Sequence, residues 1–227
     1  MAQPLRRIPD ATVARLPEYL RVLGELAENQ VRTVSSRELA DLAGVNAAKV
    51  RKDLSFLGSY GTRGVGYEVG HLLFEMRRAL GLTDRMPVIV VGAGNLGSAL
   101  AKNEGFGERG FPVVAIVDND PEKIGVRVGK LEVRPEEELA ELVEHHAARI
   151  GIIAVPPAAA QGVAELLVEA GVASILNFAP VLVNVSSDVP VRRVDLALEL
   201  QVLSFYTTRP DAEAPIRRAA RPGPPAP

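Results

Sequence analysis

Two stretches of this 227-residue chain combine residue types that could do chemistry. The first is Gly92-Ala93-Gly94-Asn95-Leu96-Gly97, which follows the apolar run Val88–Val91 and opens a helical pattern. Spaced as G-x-G-x-x-G between a strand and a helix, these glycines divide the labour. Gly92 makes the tight turn, Gly94 lets backbone N–H groups reach a pyrophosphate, and Gly97 lets the helix pack on the sheet. Ala93, Asn95 and Leu96 complete the loop. Asp118 closes the next apolar run, 21 residues after Gly97, where a carboxylate is expected to accept from an adenosine ribose 2′-OH. Its charge repels a 2′-phosphate, so the expected ligands are NADH and NAD+ rather than their phosphorylated forms. Asp120 is a rival for the ribose, but reads better as the start of the turn into Pro121.

The second stretch is VRKDLSFLGSYGTRGVGY, residues 50–67. Its left half is the end of an amphipathic helix that shows Ala48, Lys49, Arg51, Lys52 and Ser55 on one face. The other face carries Val50, Leu54 and Leu57. Lys49, Arg51 and Lys52 can reach guanine edges or phosphates of a duplex. The right half is a Gly-rich hairpin that suits a wing. Glycine lets the backbone approach DNA, and Arg63 at the tip could enter a minor groove. Ser59, Tyr60, Arg63 and Gly64 are the expected wing contacts. A plain helical hairpin with solvated charges is the alternative.

A dehydrogenase would need an acid or base beside the nicotinamide. The loops expected at the carboxyl edge of the sheet, Val155-Pro156-Pro157 and Asn177-Phe178-Ala179-Pro180, offer apolar walls and one amide. Val155, Pro156, Asn177, Phe178 and Ala179 can hold a ring without reacting with it. The histidines are His71, in a helix between the two halves, and the pair His145–His146 at a helix end away from that edge. The balance favours a binding protein over an enzyme. An NAD-dependent oxidoreductase with an N-terminal helical interaction domain stays open, as does a nucleotide-binding subunit whose helical domain binds protein.

The elements that must position these residues are legible in outline. Val13, Leu16, Leu20, Leu23 and Leu26–Ala27 recur at helical spacing, with a boundary or kink expected at Pro17. Ser35–Ser36 cap a short helix with Glu38 inside it, Gly44 turns the chain, and Asn46 caps the basic helix. Ala40 is small enough for the two helices to pack. Residues 69–82 form one more helix. From Met86 the pattern alternates: strands PVIVVG, FPVVAIVD, IGIIAV and ASILNFA, with helices at 95–102, 136–149 and 158–170. Alternation of this kind predicts an α/β domain with a parallel sheet covered on both faces. DLALELQVLSFY, 195–206, reads as a final apolar helix that packs on its own domain. The tail ARPGPPAP reads as disordered.

Charge follows the same division. Residues 1–85 carry 13 Lys+Arg against 10 Asp+Glu, and residues 86–208 carry 9 against 16, so a polyanion belongs with the N-terminal part. There is no cysteine, which excludes disulfides, thiolate metal sites and cysteine nucleophiles. No metal is expected. No apolar run follows the first arginines, as a signal peptide would require, and none approaches a membrane span. The expectation is a cytoplasmic protein without a membrane partner.

Taken together, VRKDLSFLGSYGTRGVGY, VGAGNLGSALA, ILNFAPV and VDLALELQVLSFY, in that order, resemble the redox-sensing transcriptional repressor Rex family over residues 8–206. The resemblance implies a winged helix-turn-helix domain (1–84), a Rossmann NAD(H)-binding domain (85–194), a C-terminal dimerisation helix (195–208) and the tail (209–227). It implies a homodimer on palindromic operator DNA that leaves the DNA when NADH binds. It implies that the C-terminal helix swaps into the partner subunit, and that Arg51, Lys52 and Arg63 contact DNA. Asp195 would meet the partner's Arg21 in one of the two states; an ordinary helix cap is the alternative. Asn103 stands where some relatives place a tyrosine beside the nicotinamide, which leaves the switch details open. The long tail also goes beyond the family pattern.

Overall fold

The computed structural model describes residues 8–58, 61–62, 66–185 and 188–209. The expected wing contacts Ser59, Tyr60, Arg63 and Gly64 and the tail from residue 210 lie outside them. The chain forms two compact units, which meet in sequence between Thr83 and Asp84.

The N-terminal unit begins with α1 (Asp10–Val13) and α2 (Leu16–Glu28), which are separate helices. Pro17 sits in the first turn of α2, where its missing N–H costs nothing. The buried face of α2 is Leu16, Tyr19, Val22 and Leu23. Two of these, Tyr19 and Val22, lie outside the expected stripe, while Val13 is exposed. After β1 (Thr33–Val34) comes α3 (Ser36–Leu42). Ser35 accepts from the Glu38 N–H and Glu38 accepts from the Ser35 N–H, a reciprocal cap. Gly44 turns at φ 67°, a conformation that favours glycine. Asn46 then caps α4 (Ala47–Leu57) by accepting from the Lys49 N–H at 2.8 Å. β2 (Gly61–Thr62) pairs antiparallel with β3 (Gly66–Glu68), and β3 pairs with β1. α5 (Val69–Ala79) closes the unit, its buried Leu72 and Met76 in one apolar core with Leu39, Val50 and Leu54.

The second unit is built on β4 (Val88–Val91), β5 (Val113–Asp118), β6 (Arg127–Val128), β7 (Leu131–Pro135), β8 (Ile150–Ile153), β9 (Ser174–Asn177) and β10 (Val191–Arg193). They form one sheet in the order β10-β9-β8-β4-β5-β7-β6. Every pairing is parallel except that of β6 with β7. With β6 set aside as an antiparallel edge, this is the doubly wound order of a Rossmann domain, whose strand order reverses between β4 and β8. β4 is buried on both faces, which is why it reads as an unbroken apolar run. Its Ile89 and Val91 join the core beneath α8 (Leu139–His146) and α9 (Pro157–Glu169). Its Val88 and Val90 join the opposite core, with Ile116, Ile152 and Leu100 of α6 (Asn95–Ala101).

Four elements of this unit were not expected: β6, β7, β10 and the short α7 (Glu104–Glu108). On the α7 side, Phe106 and Phe111 line an apolar cavity of about 320 Å³ with Ile150, Ile152 and Leu176. The unit ends in α10 (Leu196–Thr208), which has no buried residue. Leu196, Leu200 and Leu203 are each more than half exposed, so the expected packing of this helix on its own domain is not seen.

Candidate functional site

The Gly-rich loop sits at the carboxyl end of β4, at the reversal point where ligands of doubly wound sheets bind. Its three glycines are glycine for different reasons. A Cβ on Gly92, whose φ is +103°, would lie 2.4 Å from the Ala154 carbonyl oxygen beyond β8. A Cβ on Gly97 would lie 1.8 Å from the Gly92 carbonyl oxygen. Both positions are therefore fixed by the fold. Gly94 differs: a Cβ there meets nothing within 4 Å. It precedes α6 with its side-chain position open, and the free α6 N-terminus lies just beyond it. A diphosphate fits this opening, because the backbone N–H groups of a helix start attract anions.

Asp118 is 6% exposed at the end of β5. Its Oδ2 accepts from the Ala93 N–H at 2.6 Å, and its Oδ1 accepts from the Asp120 N–H at 2.9 Å. Lys123 Nζ lies 3.2 Å from Oδ2. Burial pushes the Asp118 carboxyl up, but these hydrogen bonds and the lysine outweigh it and hold the group below the ordinary carboxylate range. It thus stays charged beside the loop. Asp120 accepts from the Glu122 N–H at 3.0 Å, consistent with a turn-starting role.

The other loops correct the sequence reading in part. Val155 is half-buried and Pro156 exposed, and Phe178 is half-buried. Asn177, however, is 1% exposed and its amide is spent inside its own loop. Its Nδ2 donates to the Val181 carbonyl and its Oδ1 accepts from the Ala179 N–H, both at 2.8 Å. Ala179 is buried as well. The side chains of Asn177 and Ala179 therefore shape this loop from within rather than line a ring site. The apolar cavity is a different place. Its Val88, Ile150 and Ser174 begin β4, β8 and β9, at the end of the sheet opposite the Gly loop.

On the N-terminal unit, Lys49, Arg51 and Lys52 are all exposed along α4, opposite Val50, Leu54 and Leu57. Arg51 Nη1 donates to Ser36 Oγ at 3.1 Å, which ties it to the start of α3. Burial raises the Tyr67 phenol against the opposing pull of Arg51. Arg51 thus stands between α3 and the hairpin.

Sequence reasoning missed Asp53. It is 1% exposed in the middle of the basic helix. Arg15 reaches it through two donors, Nε at 2.7 Å and Nη2 at 2.8 Å. The hydroxyls of Thr12 and Tyr19 each donate to it at 2.8 Å. Burial pushes its carboxyl up, but these three side chains hold it low. Burial and the carboxylate together push the Tyr19 phenol up to about 12. The available signal was position: residue 53 falls on the stripe of 50, 54 and 57, where an acid needs a partner.

Within the chain, Arg21 pairs with Glu18 and Glu25 on its own helix. Asp195 accepts from the Ala197 N–H at 3.1 Å, as a helix cap does. Asn103 caps α7 by accepting from the Gly105 N–H at 3.0 Å. His145 and His146 meet edge to face at the end of α8. Among the described residues no cluster of His, Asp or Glu could hold a metal ion, and no helix is long and apolar enough to cross a membrane.

Comparison with known proteins bears on both units. Residues 7–55 match a family model described as a DNA-binding protein N-terminus, and residues 83–181 match one described as a CoA binding domain. The chain is 54% identical to the redox-sensing transcriptional repressor Rex of Streptomyces coelicolor, over 96% of this chain and 84% of that protein. Among solved structures it is similar to RSP in complex with β-NAD+ and operator DNA, at TM-score 0.84 and 35% identity over 91% of this chain and 95% of that one. It is similar also to RSP in complex with β-NADH, at TM-score 0.82 and 34% identity over 91% and 97%.

Proposed function

The chain belongs to the redox-sensing transcriptional repressor family Rex, and on that premise we propose that it represses transcription from operator DNA and leaves that DNA when NADH binds. The observation that carries the reading is the pairing of two sites in one chain. A basic helix stands exposed on a helix-turn-helix, and a Gly loop lies open at the reversal point of a doubly wound sheet. The chain is a binding protein and not an enzyme, as its family is.

Lys49, Arg51 and Lys52 are the contacts to the duplex on α4. Ser59, Tyr60, Arg63 and Gly64 extend them as the wing, a reading that rests on the sequence alone. The diphosphate of the dinucleotide is held by the backbone from Gly92 to Gly97, and the ribose by Asp118. When bound, the ligand supplies a nicotinamide ring that is cationic when oxidised and neutral when reduced. Val155, Pro156 and Phe178 offer that ring apolar surroundings, which favour the neutral form.

The exposed α10 supports a homodimer. Twelve of the thirteen residues of this helix stand exposed, Leu, Val and Phe among them, and an apolar helix of this kind is stable only when covered. A second copy covers it by exchange, with Asp195 of one copy meeting Arg21 of the other in one of the two states. Two such copies present two recognition helices to a palindromic site, with half-sites about 34–36 Å apart or a multiple of that. The protein works in the cytoplasm, beside the chromosome and the nicotinamide pool.

The test is a labelled palindromic operator titrated first with NADH and then with NAD+. Release by NADH at far lower concentration than NAD+ is expected. Binding indifferent to both forms would contradict the sensor.

A further inference from the structure

The carboxyl end of β5 holds more charge than the ribose contact requires. Lys123 Nζ lies 3.2 Å and 3.5 Å from the two oxygens of Asp118 and 3.4 Å from Asp120 Oδ2. A third acid, Glu136, follows Pro135, the residue of β7 paired with Asp118. Burial, Glu137 and Asp118 all push the Glu136 carboxyl up, so this edge is crowded with negative charge. The two members of the central pair differ in freedom. Asp118 is fixed by two backbone N–H groups and its side chain is 7% exposed. The Lys123 side chain is 40% exposed and rides on a flexible stem.

Resting on the reading that this edge takes the adenosine ribose of NAD(H), we propose that Lys123 is a latent 2′-phosphate ligand held out of use by Asp118 and Asp120. Rejection of NADP(H) then resides in the balance of the pair and not in Asp118 alone. An ammonium with three donors is a good phosphate partner. While two carboxylates hold it, an arriving 2′-phosphate meets net negative charge. Removing the charge of Asp118 frees Lys123 to pair with the phosphate. Removing Lys123 leaves the acids unshielded, and rejection sharpens.

The experiment measures NADH and NADPH affinity by calorimetry on the full chain, Asp118→Asn, Lys123→Met and the double variant. Asp118→Asn is expected to raise NADPH affinity by about tenfold or more, the scale of one charged hydrogen bond. The double variant should lose that gain, and Lys123→Met alone should weaken NADPH further while changing NADH less. An equal NADPH gain with and without Lys123 overturns the proposal. Asp118 also holds the Gly loop, so Asp120→Asn, with and without Lys123→Met, repeats the cycle at a residue whose side chain accepts from the Glu122 N–H but from no amide of the Gly loop. There the NADPH gain must again require Lys123, and its persistence in Lys123→Met overturns the proposal. Failure of the unaltered chain to bind NADH would instead sink the reading of the site itself.

Discussion

Asp53 is held by three side chains, whereas Asp118 is held by two backbone amides and a lysine. Both carboxylates are buried and both are kept charged by their donors. The donors to Asp53 stand 34 to 41 residues away in sequence, on α1, on α2 and between them. They lock α4 against its neighbours. The amides that hold Asp118 come from the Gly loop and from the turn that follows β5, and its lysine is half open to solvent. One aspartate joins helices, and the other joins a loop to the edge where a ligand would sit. A buried acid sealed by side chains is a framework element. A buried acid held by loop amides, with a part-exposed lysine beside it, ties a loop to the sheet edge instead.

The largest expected effect would break this contrast if it failed. Asp53→Ala strips the partner from two buried hydroxyls and a guanidinium, and should cost the N-terminal unit about 3 kcal/mol. Urea denaturation should show that loss, and operator binding should fall with it. NADH binding should persist, because the two units have separate cores.

Next come the glycines. Gly97→Ala should lower both stability and NADH affinity, because its Cβ would meet backbone. Gly94→Ala should leave the melting temperature nearly unchanged and lower NADH affinity by about tenfold, since the methyl only fills the opening. If Gly94→Ala bound NADH normally, the diphosphate would lie elsewhere.

Smaller again is Lys52→Ala. It should weaken DNA binding by about 1 kcal/mol across sequences and reduce the salt slope by about 1, as loss of a phosphate contact does. A change at one base position only would move Lys52 to base readout.

Acid unfolding sharpens the comparison last. The folded-state value for Asp53 is depressed, so its contribution is full above the ordinary carboxylate value of about 4 and is lost as pH falls through the lowered one. Asp53→Asn should therefore flatten the acid limb of stability below about pH 4 relative to the parent chain. An unchanged limb would mean that Asp53 is not the charge that matters.

The contrast also explains what the sequence made legible. The reversal-point loop, its strand, its helix and Asp118 announce themselves within 31 residues, because local turn chemistry dictates them. The same holds for Ser35, Gly44 and Asn46, each a cap or turn residue whose side chain or φ is used locally. Asp53 has no local signal beyond its place on the buried stripe. Its partners are set by how α2 lies against α4. Edge elements were missed for a different reason. β7 alternates with polar residues, β10 has three residues after a proline, and α7 carries two glycines. Asn177 looked like a ligand group because amides often are. Only the loop's own path shows that both ends of the amide are taken. The exposed face of α10 reverses the local expectation of packing at home, since nothing in an apolar run states what it packs against.

Release of the operator by NADH requires that the Gly loop and α4 be thermodynamically coupled. The most direct measurement is NADH affinity of the full chain, with and without saturating operator DNA. Coupling requires that DNA weaken NADH binding by the same factor by which NADH weakens DNA binding. An NADH affinity untouched by operator would contradict the coupling, even with both sites intact.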